Sequence, residues 1–210
     1  MIEFPDPSQA NEEGLLAVGG NLEPETLLAA YANGIFPWFT EESPILWWSP
    51  DPRMVLFPDE FYINSRLQRR LKQPQYRFSW DEAFGQVIQT CADIPRRGET
   101  GTWILPEMLT AYTWLHELGH AHSIEVWNGH ELIGGLYGVL LNHTFFAESM
   151  FSSRRDGSKM ALAKLIERAK AEGWRLIDCQ FHSQHLASMG AREISRSDFL
   201  SAIRFDSDPA

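Results

Sequence analysis

Two segments decide the fold: Thr144-Phe145-Phe146-Ala147-Glu148-Ser149 and Trp174-Arg175-Leu176-Ile177-Asp178-Cys179-Gln180. Each is short, aromatic or aliphatic, and bounded by turn residues, which reads as a buried strand. Between them, Ser158 is placed to cap a helix whose apolar face is Ala161, Leu162, Leu165, Ile166 and Ala169, with Gly173 closing it. This is a strand–helix–strand crossover. If its two strands pair in parallel, their carboxyl ends share one sheet edge, where α/β folds build their sites. Glu148 and Gln180 flank that crossover.

Upstream the pattern becomes antiparallel. Ser123 to Trp127 and Leu132 to Leu141 read as strands joined by a turn at Asn128-Gly129. Helices are expected from Ser65 to Lys72, from near Trp80-Asp81 through Phe84, Val87, Ile88 and Cys91, from Pro106 to Gly119, and from Ser197. The expected class is α+β, a mixed, mostly antiparallel sheet covered by helices. Residues up to about Pro58 are rich in Pro, Gly and Trp. A short helix with Pro24 near its start stops at Asn33-Gly34, and Ile45 to Trp48 reads as a strand. We therefore expect a small N-terminal lobe over residues 1–57 and a main domain over 58–210.

Composition excludes several classes. A hydrophobic fraction of 44% and a charged fraction of 22% are those of a packed globular protein. No apolar run is long enough to cross a bilayer. The opening Met1-Ile2-Glu3-Phe4-Pro5-Asp6 lacks the basic start and apolar stretch of a signal peptide. Cys91 and Cys179 form neither a disulfide framework nor a Cys-x-x-Cys site. The expected compartment is the cytoplasm. A net charge of −10 argues against a protein that coats long nucleic acid. Cations are nevertheless uneven: Arg66, Arg69, Arg70, Lys72 and Arg77 crowd one region and Arg96-Arg97 another. Such a helix suits a phosphate-bearing partner or is a solvated surface, and spacing leaves both open.

His116-Glu117-Leu118-Gly119-His120 matches the H-E-x-x-H zinc signature literally. That chemistry needs both histidines on one face of a continuing helix. Here Gly119 intervenes and a strand begins almost at once, so His120 falls at or past the helix end. We read the segment as a Gly-stopped helix and expect no metal.

The remaining chemistry gathers at the two opening segments. On a strand, Asp178 and Gln180 share a face, and Asp178 could orient the Gln180 amide by accepting from its NH2. The pair is either structural or catalytic. Glu148, in an apolar setting, could hold an ammonium group, act as a base, or form a salt bridge to Arg154 or Arg155. Leu136, Met150, Leu162, Leu165 and Ile177 share an interior by period, as a core or as a pocket for a ligand side chain. Trp38, Trp47, Trp48 and Trp103 sit beside turn signals, and loop aromatics often line pockets.

These segments resemble the leucyl/phenylalanyl-tRNA–protein transferases. The likeness runs from Gly14-Leu15-Leu16-Ala17-Val18-Gly19-Gly20 to Ile194. It includes Gly34-Ile35-Phe36-Pro37-Trp38-Phe39, Pro44-Ile45-Leu46-Trp47-Trp48-Ser49-Pro50 and Gly101-Thr102-Trp103-Ile104. It continues through His116 to Ser123, Gly134-Gly135-Leu136-Tyr137-Gly138, Glu148-Ser149-Met150-Phe151-Ser152 and Ile177-Asp178-Cys179-Gln180. The resemblance implies a GNAT-like C-terminal domain that needs no metal and no coenzyme A. It implies transfer of Leu or Phe, and Met less well, from aminoacyl-tRNA to proteins beginning with Arg or Lys, marking them for N-end-rule degradation. No Gly-x-Gly loop precedes the crossover helix, where an acetyltransferase would grip a pyrophosphate, in keeping with independence from coenzyme A. The runner-up is an acyl-CoA N-acetyltransferase; the non-enzyme rival is a module that binds tRNA or an Arg-leading peptide.

By the same resemblance, Asp178, Gln180 and Glu148 are catalytic. The family's mechanism would have Asp178 polarise Gln180 and Gln180 help remove a proton from the attacking amine. A neutral amide is a very weak base, so in a gentler reading Asp178 orients Gln180 and Gln180 positions the amine. Glu148 would hold the amine's positive charge. Leu136, Phe145, Met150, Leu162, Leu165 and Ile177 would form the pocket for the transferred side chain. Trp38 and Trp103 would flank the terminal adenosine of tRNA, and Arg66, Arg69, Arg70 and Lys72 would meet its acceptor stem.

Overall fold

A computed structural model describes residues 3–94 and 104–204. Elements follow in chain order as β1 (Leu15–Val18), α1 (Pro24–Ala32), β2 (Phe36–Pro37), β3 (Leu46–Trp48), β4 (Arg53–Leu56), α2 (Ser65–Leu71), β5 (Tyr76–Trp80) and α3 (Phe84–Asp93). Then come α4 (Pro106–Glu117), β6 (Ala121–Asn128), β7 (Glu131–Leu141), β8 (Thr144–Ser152), α5 (Gly157–Glu172), β9 (Leu176–Gln180), α6 (Gln184–Ala187), β10 (Arg192–Ile194) and α7 (Arg196–Ile203).

Among the described residues the strands form two sheets. The smaller has the order β1-β3-β2, and the larger β10-β4-β9-β8-β7-β6-β5. Every described pairing in the larger sheet is antiparallel except β8 with β9, which run parallel around α5. The class is α+β with a mixed sheet, and the crossover is the expected one. β4 lies inside residues 1–57 yet pairs with β9 in the larger sheet. One apolar cluster joins Leu27, Tyr31 and Phe36 of the N-terminal part to Tyr112, Val139, Phe146 and Phe199. The other lies under α5 and α2, with Met160, Leu162, Leu165 and Leu67 packed against Leu136, Phe145 and Ile177. The sheet is therefore buried on both faces, which accounts for the near-continuous apolar runs of its inner strands.

Several local expectations shift. The crossover helix starts at Gly157, not under a Ser158 cap: Asp156 adopts a left-handed conformation, and Ser152 Oγ accepts from the Ser158 N–H at 2.7 Å. Glycine is required at 157, because a Cβ there would stand 2.3 Å from the Ile133 carbonyl. Tyr76 to Trp80 forms strand β5, so α3 begins only at Phe84. The last helix is capped by Ser195, whose side chain accepts from the Asp198 N–H, rather than starting at Ser197. The cationic helix ends at Leu71, with Lys72 as its C-cap.

The helix of the H-E-x-x-H match stops at Glu117, and Gly119 turns left-handed at φ +79°. His120 already hydrogen-bonds back to the Leu115 carbonyl through its N–H. The His116 ring stacks on Phe84, its Nδ1 2.8 Å from the Ala121 carbonyl. The two histidines do not share a continuing helix face.

Candidate active site

The parallel ladder between β8 and β9 ends at Phe146 and Asp178. Beyond that point the strands carry different partners, and a cavity of about 280 Å³ opens between them. It is lined by Leu136, Ala147, Glu148, Ser149, Met150, Leu162, Ile177, Cys179, Gln180, Ser183 and Leu186. Its polar end is set by two irregularities. In the β7–β8 ladder, Tyr137 pairs with Ser149 and Gly138 with Ala147, leaving Glu148 as the extra residue of a bulge. In the β4–β9 ladder, Met54 pairs with Gln180 and Val55 with Asp178, leaving Cys179 extra. Bulges re-aim side chains out of a sheet's alternation, and are over-represented beside active sites. The first depends on Gly138, where a Cβ would stand 2.2 Å from the Phe146 carbonyl.

Glu148 is buried, and its partners are neutral. Gln180 Nε2 donates to its Oε1 at 2.9 Å, Tyr31 Oη donates to the same oxygen at 2.7 Å, and Tyr112 Oη donates to Oε2 at 3.1 Å. The two phenol oxygens also lie in contact with each other, and since each phenol carries one proton, that contact competes with their bonds to Glu148. Burial pushes the Glu148 carboxyl up to about 7. The tyrosine and glutamine hydrogen bonds pull it down, while the Asp178 charge adds to the rise. Burial, followed by the Glu148 charge, holds both phenols well above their ordinary range. No salt bridge joins Glu148 to Arg154 or Arg155: Arg154 pairs with Glu131 and Arg155 lies 3.8 Å from Asp156.

The expected bond from the Gln180 amide to Asp178 does not form. Asp178 instead receives Arg53, whose Nε donates to Oδ1 at 2.8 Å and Nη2 to Oδ2 at 2.6 Å, with both side chains 0% exposed. Asp178 touches Gln180 only through the main chain, accepting from its N–H at 3.0 Å. Gln180 has φ +62°. That left-handed conformation breaks the strand's alternation, so Asp178 and Gln180 no longer share a face.

The apolar expectations divide. Leu136, Met150, Leu162 and Ile177 line the cavity, next to Glu148 and Gln180. Leu165 and Phe145 do not: both are fully buried in the core, and Phe145 stacks on Trp174. Trp38 is exposed and meets Trp48 and Phe181 edge-on or tilted, at centroid distances of 5.6 and 5.5 Å. Phe181 follows Gln180 directly in the chain but is not among the residues that line the cavity. Trp103 lies outside the described residues, as do Arg96 and Arg97. Arg66, Arg69 and Lys72 are exposed on or beside α2. Arg70 is half-buried and bonded to Asp156 and the Arg155 carbonyl, tying α2 to the start of α5.

Tyr31, Arg53, Tyr112, Phe181 and Ser183 were not legible as site residues. Arg53 carried one signal, a charge beside the apolar run Met54-Val55-Leu56, since a buried cation needs a paired anion. The tyrosines carried none, being ordinary members of helical apolar faces. Among the described residues, no group of three or more His, Cys, Asp or Glu is arranged to hold a metal ion.

The split strands of the mixed sheet thus bring a carboxylate and an amide to one end of an apolar pocket, and the family matches make the chain an aminoacyltransferase. Residues 55–204 match the family described as leucyl/phenylalanyl-tRNA protein transferase, and residues 20–51 match that family's N-terminal domain. A leucyl/phenylalanyl-tRNA–protein transferase of Anaeromyxobacter sp. (strain K) is 56% identical over 200 residues, covering 95% of this chain and 86% of that protein. One of Xanthomonas axonopodis pv. citri (strain 306) is 51% identical over 203 residues, covering 96% and 82%. The chain belongs to the leucyl/phenylalanyl-tRNA–protein transferase family. Among solved structures, a GCN5-related N-acetyltransferase from Kribbella flavida aligns with a TM-score of 0.41 and 8% identity, over 82% of this chain and 61% of that one.

Proposed function

We propose that this enzyme moves Leu or Phe, and Met less well, from aminoacyl-tRNA to the α-amino group of proteins beginning with Arg or Lys. The product would carry a destabilising N-terminal residue and enter N-end-rule degradation in the cytoplasm. The observation that carries the reading is the contact between an apolar cavity and the Glu148–Gln180 pair. An uncharged side chain enters between Leu136, Met150, Leu162 and Ile177, while its ester carbonyl stays at the polar end. No helix among the described residues is long and apolar enough to cross a membrane.

Glu148 receives the acceptor's α-ammonium and takes its proton, since a carboxyl poised near 7 exchanges protons readily near neutrality. The free amine, positioned by Gln180, attacks the ester carbonyl. The N–C bond forms, the C–O bond to the terminal ribose breaks, the proton shed by nitrogen leaves with the ribose oxygen, and Glu148 releases the first proton to solvent. The ester is already activated, so positioning supplies most of the acceleration. Trp38 offers a stacking face for the terminal adenosine. Arg66, Arg69, Arg70 and Lys72 supply cations for the acceptor stem, with no metal or cofactor involved. The test mixes the protein with labelled Leu-tRNA and a peptide beginning with Arg. Label is expected on that peptide and not on one beginning with Glu, and an unlabelled Arg peptide would sink the assignment.

A further inference from the structure

Gln180 is an anomaly: a non-glycine residue held at φ +62° at the end of a central strand, after a bulge. Such conformations persist only where the surroundings over-determine them, and they concentrate at functional sites. Two side chains do the determining here. Asp178 Oδ1 accepts from the Gln180 N–H at 3.0 Å, closing a local turn of the kind Asp favours. The same carboxylate is locked by the Arg53 fork. Arg53 cannot swing, because its guanidinium lies 4.6 Å from the Phe36 ring centroid and 4.5 Å from that of Phe199, and Nη1 donates to the Gly34 carbonyl at 3.1 Å.

The geometry points to Arg53 as a positioning residue of the transfer reaction: its bidentate grip on Asp178 fixes the main chain of Gln180 in the left-handed turn that aims the Gln180 amide at Glu148. Asp178 then acts on Gln180 through the backbone and not through the amide side chain. Shape matters more than charge, because a planar fork holds both carboxylate oxygens at once and an ammonium holds a single point. The inference rests on the transferase reading above.

The discriminating variant is Arg53→Lys, which keeps the positive charge and loses the fork. It is expected to retain KM for Leu-tRNA within about twofold and to lose kcat by about tenfold to a hundredfold, as small misplacements of reacting groups do. Melting is recorded on the same samples. Full kcat in folded Arg53→Lys overturns the inference, since the charge alone would then suffice. A second measurement needs only the wild-type protein. By hydrogen exchange, the Gln180 backbone amide is expected to be protected to the level of the β9 core, and exchange at an open loop's rate overturns the inference even if the variant does not fold. Wild-type protein is assayed alongside. Absence of transfer there defeats the functional reading and this inference together, whereas wild-type transfer with unimpaired Arg53→Lys defeats this inference alone.

Discussion

On the proposed mechanism Glu148 serves a cationic amine only as a carboxylate, so its titration would set when the site works. Burial has moved that titration up to about 7. On the proposed mechanism, kcat/KM for the acceptor rises with pH through about 7 and then levels. Glu148→Gln is expected to lose this inflection and at least about a hundredfold in turnover. Tyr112→Phe removes a hydrogen bond that stabilises the carboxylate, so its inflection moves upward; a downward shift would contradict the assigned contact. Stability runs the other way. The folded protein holds this proton more tightly than the unfolded chain, so the contribution is complete below about 4.5 and lost as pH rises through about 7. Melting curves of wild type and Glu148→Gln should therefore diverge across that window, with wild type losing ground as pH rises. The same residues mark what spacing could reveal. Asp178, Gln180 and Glu148 stand out as polar groups on apolar strands, and the structure gathers them. Their pairing is hidden, because period-two reasoning cannot see a bulge at Glu148 or a left-handed turn at Gln180.

The elements divide by how local their determinants are. The β6–β7 hairpin turns at Gly129, which has φ +61°, and the helix before it ends at Glu117, two residues short of the left-handed Gly119; both are readable because a glycine supplies the conformation by itself. The β8–α5–β9 crossover is readable because its helix is long and periodic. Strands β1, β4 and β10 carry no such signal. Each is three or four residues long and exists through its partners rather than its composition. α2 is legible as a helix with many cations, but the chain alone does not show which are already engaged. Arg70 binds Asp156, so its loss would loosen the start of α5 as well as any RNA contact. The cleaner test changes Arg66, Arg69 and Lys72 to Ala. Binding of aminoacyl-tRNA should weaken and its salt dependence flatten, by about 0.7–0.9 in log–log slope for each phosphate no longer neutralised. An unchanged slope would remove α2 from the RNA footprint.

The N-terminal part and the main sheet share a core, since Leu27, Tyr31 and Phe36 belong to the same apolar cluster as Val139, Phe146 and Phe199. The chain is therefore expected to unfold in one step, with tryptophan fluorescence and far-UV dichroism giving superimposable urea transitions. Two separated transitions would show that residues 1–57 melt independently. The family matches divide between residues 51 and 55, just where β4 enters the larger sheet and brings Arg53 to Asp178. That arrangement has a consequence during synthesis. The bond from Tyr31 to Glu148 spans 117 positions, and the one from Arg53 to Asp178 spans 125. Chains emerge from the ribosome amino end first, and contacts this distant wait for nearly all of the polypeptide. A nascent or truncated fragment ending before β9 lacks both Asp178 and Gln180, so on the proposed mechanism unfinished chains would stay inert until β9 docks.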